Sequence, residues 1–255
     1  MLALKNPHPR DKHIQFDPVP HIYTILTDPH NAYTSVTTWN HSHFQAFDAD
    51  TIITKLKKNP KSPYFQQTPV EIKEQWDKNR DSAAQLGTQL HYAIECYYNE
   101  HEHEHHTDPI AYNHFLNFVK DMTQQQDGVV PYRTEWMIYD ESTKLAGSID
   151  MLFKLPDGSL HIYDWKRAKA ITKTTAYNQY ALTECINHLP DTNYWHYALQ
   201  LNTYKSILER CYGERISGMF LIGLHPNQPN YQRFSVPVLA DEMDALIEFR
   251  KSKLN

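Results

Sequence analysis

The sequence predicts an α/β protein of the α+β kind, a mixed sheet of about five strands flanked by helices. Two observations carry that expectation. Three strand-like segments follow one another between residues 131 and 167: "PYRTEWMIYD", "KLAGSIDMLFKL" and "SLHIYDWKR". A segment with helical spacing, "YWHYALQLNTYKSILERCYG", then separates them from two more strand-like runs, "ISGMFLIGLHP" and "YQRFSVPVL". With 255 residues, 40% of them hydrophobic, the chain suits one large domain or one domain with an added lobe. We divide it into an N-terminal β/α extension over residues 1–66, packed on a core over residues 67–255.

The elements can be justified in order. "HIQFDPVPHIYTILTD" and "AYTSVTTW" read as a small β element, and a helix follows near residues 48–58. The polar link "KKNPKSPYFQQ" leads to "TPVE", where Thr68 suits an N-cap, Pro69 the first helical position and Glu71 the third, a capping box. A second helix runs through "DSAAQLGTQLHYAIECYYNE". Leu86, Leu90, Ala93 and Tyr97 form its buried stripe, and His91 and Glu95 share another face. "HEHEHHTDP" reads as an exposed link, with metal storage or sensing by its histidines as the competing reading. "PIAYNHFLNFVKDMTQQQ" is helical up to Gly128. The segment from "YWHYALQ" is closed by Gly213, and a charged helix ends the chain.

Composition limits the function classes. A net charge of −5 excludes a generally basic nucleic-acid coat, so any such binding rests on local patches. Two patches are present: Lys55, Lys57, Lys58 and Lys61, and then Lys166, Arg167, Lys169 and Lys173. Cys96, Cys185 and Cys211 form no CxxC pair, which fits free thiols in a reducing compartment. No apolar run suits a membrane span or a signal peptide, so the expectation is an intracellular protein, cytoplasmic or nuclear, with no membrane partner.

The chemistry concentrates in one hairpin. Pro156, Asp157 and Gly158 suit a three-residue loop with glycine in the left-handed position. In that register Leu155 pairs with Ser159, and Asp150 falls opposite Asp164, with Cβ atoms ~5 Å apart. The strand period puts Lys166 on the same face. Two carboxylates so close raise one pKa or demand a cation, and a hard divalent ion is the natural neutraliser. A slip of one residue in the loop would separate them.

With "GTQLH" on a helix, "RTEW" and "GSID" on strands, "DWK" as a D-x-K and "QLNTY" on the following helix, the chain resembles the PD-(D/E)XK nuclease superfamily, and within it the RecB-like exonucleases. The pieces lie in the family's order over about residues 80–225; strings such as "GLHP" resemble RecB-type proteins of large DNA viruses and phages. The resemblance implies a restriction-endonuclease-like core and Mg²⁺- or Mn²⁺-dependent DNA cleavage with one or two ions. It implies Asp150, Asp164, His91 and the Trp165 carbonyl as metal ligands. Lys166 would orient the attacking water, and Glu135 is an acid close to the metal. Gln200 and Tyr204 lie beside the site and, with Arg167 and Lys169, are the DNA-binding candidates. Glu95 is a candidate acceptor supporting His91, or else part of a simple helix salt bridge.

The implied activity is an exonuclease acting on single- or double-stranded DNA in replication, recombination or repair. The alternatives are a structure-specific endonuclease or a catalytically silent nucleic-acid-binding module. The scattered cysteines speak against an iron–sulfur cluster, and the lack of a Walker motif speaks against a nucleotide cofactor, so any helicase or recombination partner is a separate chain.

Overall fold

The computed structural model describes residues 1–101, 107–125, 128–175 and 178–254. Its order is α1 (Leu2–Lys5), β1 (Ile14–Asp17), β2 (Ile22–Ile25), β3 (Thr34–Ser35), α2 (Val36–His41), α3 (Ala49–Leu56), α4 (Pro69–Asn99), α5 (Pro109–Gln125), β4 (Val130–Asp140), β5 (Leu145–Lys154), β6 (Leu160–Lys166), α6 (Asn193–Ile207), β7 (Ile216–Gly223), β8 (Gln232–Ser235) and α7 (Ala240–Leu254). The expected mixed sheet is present. Strands β4, β5 and β6 are antiparallel neighbours, β7 runs parallel to β6 after the α6 crossover, and β8 closes the far edge. Residues 102–106, all but the first residue of the histidine-rich segment 101–106, lie outside the described residues.

Three local expectations change. "AYTSVTTW" is strand only at Thr34–Ser35; Ser35 then caps α2 by accepting from the Thr38 N–H. The two helices expected between residues 68 and 100 are one, the 31-residue α4, opened by the expected Thr68–Glu71 capping box. The sequence after Asp81 resembles a helix start, but no proline interrupts the turn there, so the helix continues. The α6 segment continues as a π-helical turn, Leu208–Tyr212, before Gly213.

Two hydrophobic clusters sandwich the sheet. Leu90 and Ile94 of α4 and Ala111, Phe115 and Phe118 of α5 meet Met151, Phe153, Tyr163 and Trp165 on one face. On the other face, α6, α2 and the β1–β2 hairpin meet Leu152, Leu160 and Ile162. The strand period of two assigns those residues to opposite faces and puts Asp150, Asp164 and Lys166 in phase with Leu152 and Ile162, toward α6.

The N-terminal residues are bound into this body. Asp11 accepts from Arg133 Nη1 at 2.8 Å and from Trp136 Nε1 at 2.8 Å, and the Arg10 guanidinium lies 3.9 Å over the Tyr139 ring. No helix among the described residues is long and apolar enough to cross a membrane. Cys96, Cys185 and Cys211 are free thiols.

Candidate active site

A fork in the sheet creates the site. Strand β4 runs along the whole of one edge of β5, so β3 and β6 divide the other edge. Strand β3 takes Leu145 and Ala146, and β6 takes Met151 to Lys154. Between them, Gly147 to Asp150 have no strand partner on that edge. Where the ladder stops, the Trp165 N–H donates to Asp150 Oδ2 at 2.8 Å instead of to a backbone carbonyl.

The hairpin loop sets this register as its residues dictate. The Leu155 N–H donates to the Ser159 carbonyl at 2.9 Å, and Gly158 takes φ +80°. Met151 pairs with Tyr163, so Asp150 and Asp164 are the next residues in step. On the other side, the pairs Thr134–Met151 and Trp136–Ile149 bracket Glu135 against Asp150. Glu135, Asp150 and Asp164 therefore form a row of carboxylates across three adjacent strands.

Glu135 reaches that row at a conformational cost. Its φ is +44°, in the left-handed region, within a strand. A non-glycine residue there costs ~1–3 kcal/mol and persists only where its surroundings hold it. Ser148 contributes to that hold, donating from Oγ to Glu135 Oε2 at 2.9 Å.

Helix α4 adds His91 from the opposite side of the fork. Its Nε2 lies 2.9 Å from the Trp165 carbonyl, and its Nδ1 lies 3.7 Å from Glu135 Oε1 and 3.6 Å from Asp150 Oδ2. Trp165 is thus held twice through its backbone, while its buried indole packs edge-on against Phe115 and Phe118. That anchor places Asp164 and Lys166 on either side of it.

The electrostatics follow from crowding. Burial, then the Asp164 carboxylate, pushes Asp150 up to about 7. Burial works against a charged His91, but the Asp150 and Glu135 carboxylates outweigh it and lift its pKa to about 9. Lys166 lies 2.7 Å from Asp164 Oδ2; burial again opposes its charge, and Asp164 and Asp150 overcome that and raise its pKa. The two carboxylates therefore favour the ammonium form of Lys166.

These residues fit a divalent cation. Ligand atoms of His91, Glu135 and Asp150 lie within 4.8 Å of one another. Asp164 stands beside that trio, and its Oδ1 is buried without a hydrogen-bond partner, an acceptor left open. Oxygen and imidazole donors of this kind suit Mg²⁺ or Mn²⁺.

Other candidates occupy less direct positions. Gln200 Oε1 lies 3.4 Å from Lys166 Nζ, and Gln200 Nε2 donates to the Tyr204 hydroxyl at 3.1 Å. Tyr204 is only 3% exposed, so it supports Gln200 and offers no open face to DNA. Arg167 Nη2 is 2.8 Å from Asp108 Oδ2 at the start of α5, which ties that guanidinium down; Lys169 is exposed. The acceptor place beside His91 that Glu95 suggested is filled by the Trp165 carbonyl, and Nδ1 faces Glu135 and Asp150. Glu95 lies instead along a cavity of about 200 Å³ with Met1, Asn99 and Glu135.

Tyr197 escaped sequence reading. Lys166 Nζ sits 4.6 Å from the centre of its ring, a cation–π contact that fixes the ammonium. Its signal was available: Tyr197, Gln200 and Tyr204 are spaced i, i+3, i+7 along one face of α6.

No curated protein matches the sequence. A solved structure named "Putative exonuclease", from Eubacterium rectale, aligns over 87% of this chain and 78% of its own, with a TM-score of 0.39 and 11% identity, a likeness too loose to carry an argument. A sequence model of the PD-(D/E)XK nuclease superfamily matches residues 39–249, a span that takes in His91, Glu135, Asp150, Asp164 and Lys166. The chain belongs to the PD-(D/E)XK nuclease superfamily.

Proposed function

We propose that the protein is a Mg²⁺- or Mn²⁺-dependent deoxyribonuclease, an exonuclease working in DNA replication, recombination or repair inside the cell. The observation that carries this reading is the row Glu135–Asp150–Asp164, bracketed by His91 on one side and Lys166 on the other. His91 Nδ1, Glu135 and Asp150 would hold the ion, with Asp164 and the Trp165 carbonyl at its flank. A bound divalent ion supplies a water of lowered pKa and a Lewis acid for a phosphoryl oxygen.

The chain's own groups do the rest. Lys166, kept charged by Asp164 and Asp150, donates to the attacking water or to a developing phosphorane oxygen. Gln200, Tyr204 and Tyr197 position that ammonium. Lys169 at the end of the catalytic strand offers charge to a backbone phosphate. Residues 1–66 act as an extension that braces β4, and any unwinding is left to a separate helicase or recombination protein.

Digestion of 5′- and 3′-labelled single- and double-stranded DNA and of a closed circle, with Mg²⁺ and with Mn²⁺, tests the proposal. Mononucleotides or short products from linear DNA, with the circle intact, are expected. A nicked or linearised circle would make the protein an endonuclease. Absence of product from every substrate would leave a silent binding module.

A further inference from the structure

Helix α4 has an unusual distribution of burial. Its C-terminal part enters the core through Leu90, Ala93, Ile94 and Cys96, and its first turn is anchored by Ile72. None of the residues between Ile72 and Leu90 is buried, so the middle of the helix is a shaft with solvent along it. The far end carries a small head of its own. Ile53 of α3 is 2% exposed and Ile72 is fully buried, and neither belongs to the two clusters that hold the sheet.

Aromatic rings gather on this head. Trp76 stands between Phe47 and Tyr64, each with ring centroids 5.8 Å from it. Phe47 is 73% exposed, and Phe65 is also exposed. A surface cavity of about 300 Å³ opens there, lined by Phe47, Ala49, Lys73, Trp76, Asp77 and Arg80.

The charge around the rings leans positive once partners are assigned. Residues 47–81 hold seven Lys and Arg against six Asp and Glu, in a chain whose net charge is −5. Asp48 and Glu71 are engaged at the helix caps, Asp50 pairs with Lys73, and Asp77 and Asp81 pair with Arg80. Lys55, Lys58, Lys61 and Lys78 are exposed and in no ion pair among the described residues, and so is one acid, Glu74. The pairs at Lys73 and Arg80 are exposed too, and such pairs are worth only ~0–1 kcal/mol.

We propose that the Phe47–Trp76 cleft is a binding subsite for single-stranded DNA, in which an unpaired base stacks on Phe47 and Trp76 while the surrounding lysines hold its phosphates. The inference rests on the nuclease reading above and names where the substrate strand is gripped away from the cut. Trp76 and His91 lie on one unbroken helix, fifteen residues apart, so the subsite is about 22 Å from the metal residues. A single strand extends beyond the ~3.4 Å per nucleotide of a strand in a duplex, so that distance is spanned by at most about six or seven nucleotides. Much shorter strands reach the catalytic residues without touching the head, and duplex DNA has no free base face to offer it.

Phe47→Ala and Trp76→Ala test this, with binding measured by fluorescence anisotropy and the divalent ion left out so that no strand is cut. The Phe47 side chain is largely in solvent, so its removal leaves the fold intact even where Trp76→Ala loosens the head. Both variants are expected to bind a ~20-nucleotide single strand about ten-fold more weakly than the parent, and to bind a blunt duplex as the parent does. With Mg²⁺ added, both are expected to cleave a ~2-nucleotide strand at the parental kcat/KM, because even when extended a strand of that length does not reach the head. Unchanged affinity of both variants for the long strand would overturn the subsite and leave the surface to a protein partner. If the parent binds and cuts DNA while the variants match it, the subsite alone fails; if the parent binds no DNA, the nuclease reading fails with it.

Discussion

A Cβ placed on Gly147 would stand 2.8 Å from Tyr204 Cε1 and 3.1 Å from its hydroxyl. The glycine of "GSID" is there for a neighbour on α6, not for a turn. Because Tyr204 bears on Gln200, and Gln200 on Lys166, a methyl group on β5 is transmitted to the Lys166 ammonium.

Gly147→Ala is therefore expected to lower cleavage about ten-fold or more while costing ~1–3 kcal/mol of stability, the usual penalty of overpacking. Single-turnover cleavage and thermal unfolding of the same preparation check both numbers. Tyr204→Phe keeps the ring and loses only the hydroxyl, so it should retain stability and lose less activity than the glycine variant.

Lys166→Met separates charge from bulk. It leaves Asp164 buried without its ion-pair partner, and breaking a buried pair from one side costs ~3–5 kcal/mol. The metal-free variant should unfold at a distinctly lower temperature than the parent. Saturating Mn²⁺ should return much of the difference, since an ion bound to the native state alone stabilises it. Cleavage should fall ~10²–10³-fold or more in any metal, as for loss of a donor to a developing oxyanion. Parental activity in this variant would remove Lys166 from the mechanism.

Metal binding should release protons. Without an ion, Asp150 titrates near 7 and His91 near 9, so at neutral pH both sites carry protons that a ligand must shed. Affinity for Mn²⁺ is expected to rise from pH 6 to pH 9, because each step up removes competing protons from Asp150 and then His91. Calorimetric titration at pH 7 in two buffers of different ionisation heat should give a proton release of about one or more per ion. Asp164→Asn removes the carboxylate that, after burial, does most to raise Asp150, so in that variant the rise with pH should begin at a lower pH. A heat of binding independent of buffer would contradict the crowding of these charges.

Much of the site was legible residue by residue because its determinants are local. The Pro156–Asp157–Gly158 loop predicts its own register, and the period of two then carries Asp150, Asp164 and Lys166 onto one face. Thr68 and Glu71 announce the start of α4 in the same way. Glu135 could be suspected from its strand, but its φ of +44° could not, since nothing in "RTEW" favours the left-handed region. Arg167 read as a free cation, and Asp108, distant in sequence, takes it. The continuity of α4 was hidden because its exposed shaft lacks the apolar stripe by which a helix is recognised.

By itself, then, the sequence determined the strand series, the hairpin register and the identity of the acids and the lysine, all set by turn chemistry and strand period over a few residues. Only the tertiary structure decided that β6 would leave β5 at Asp150, that His91 would reach the fork from α4, and that Gln200, Tyr204 and Tyr197 would hold Lys166. Those placements depend on packing between elements far apart in the chain, where the energy lies in which faces meet and not in what any one segment prefers.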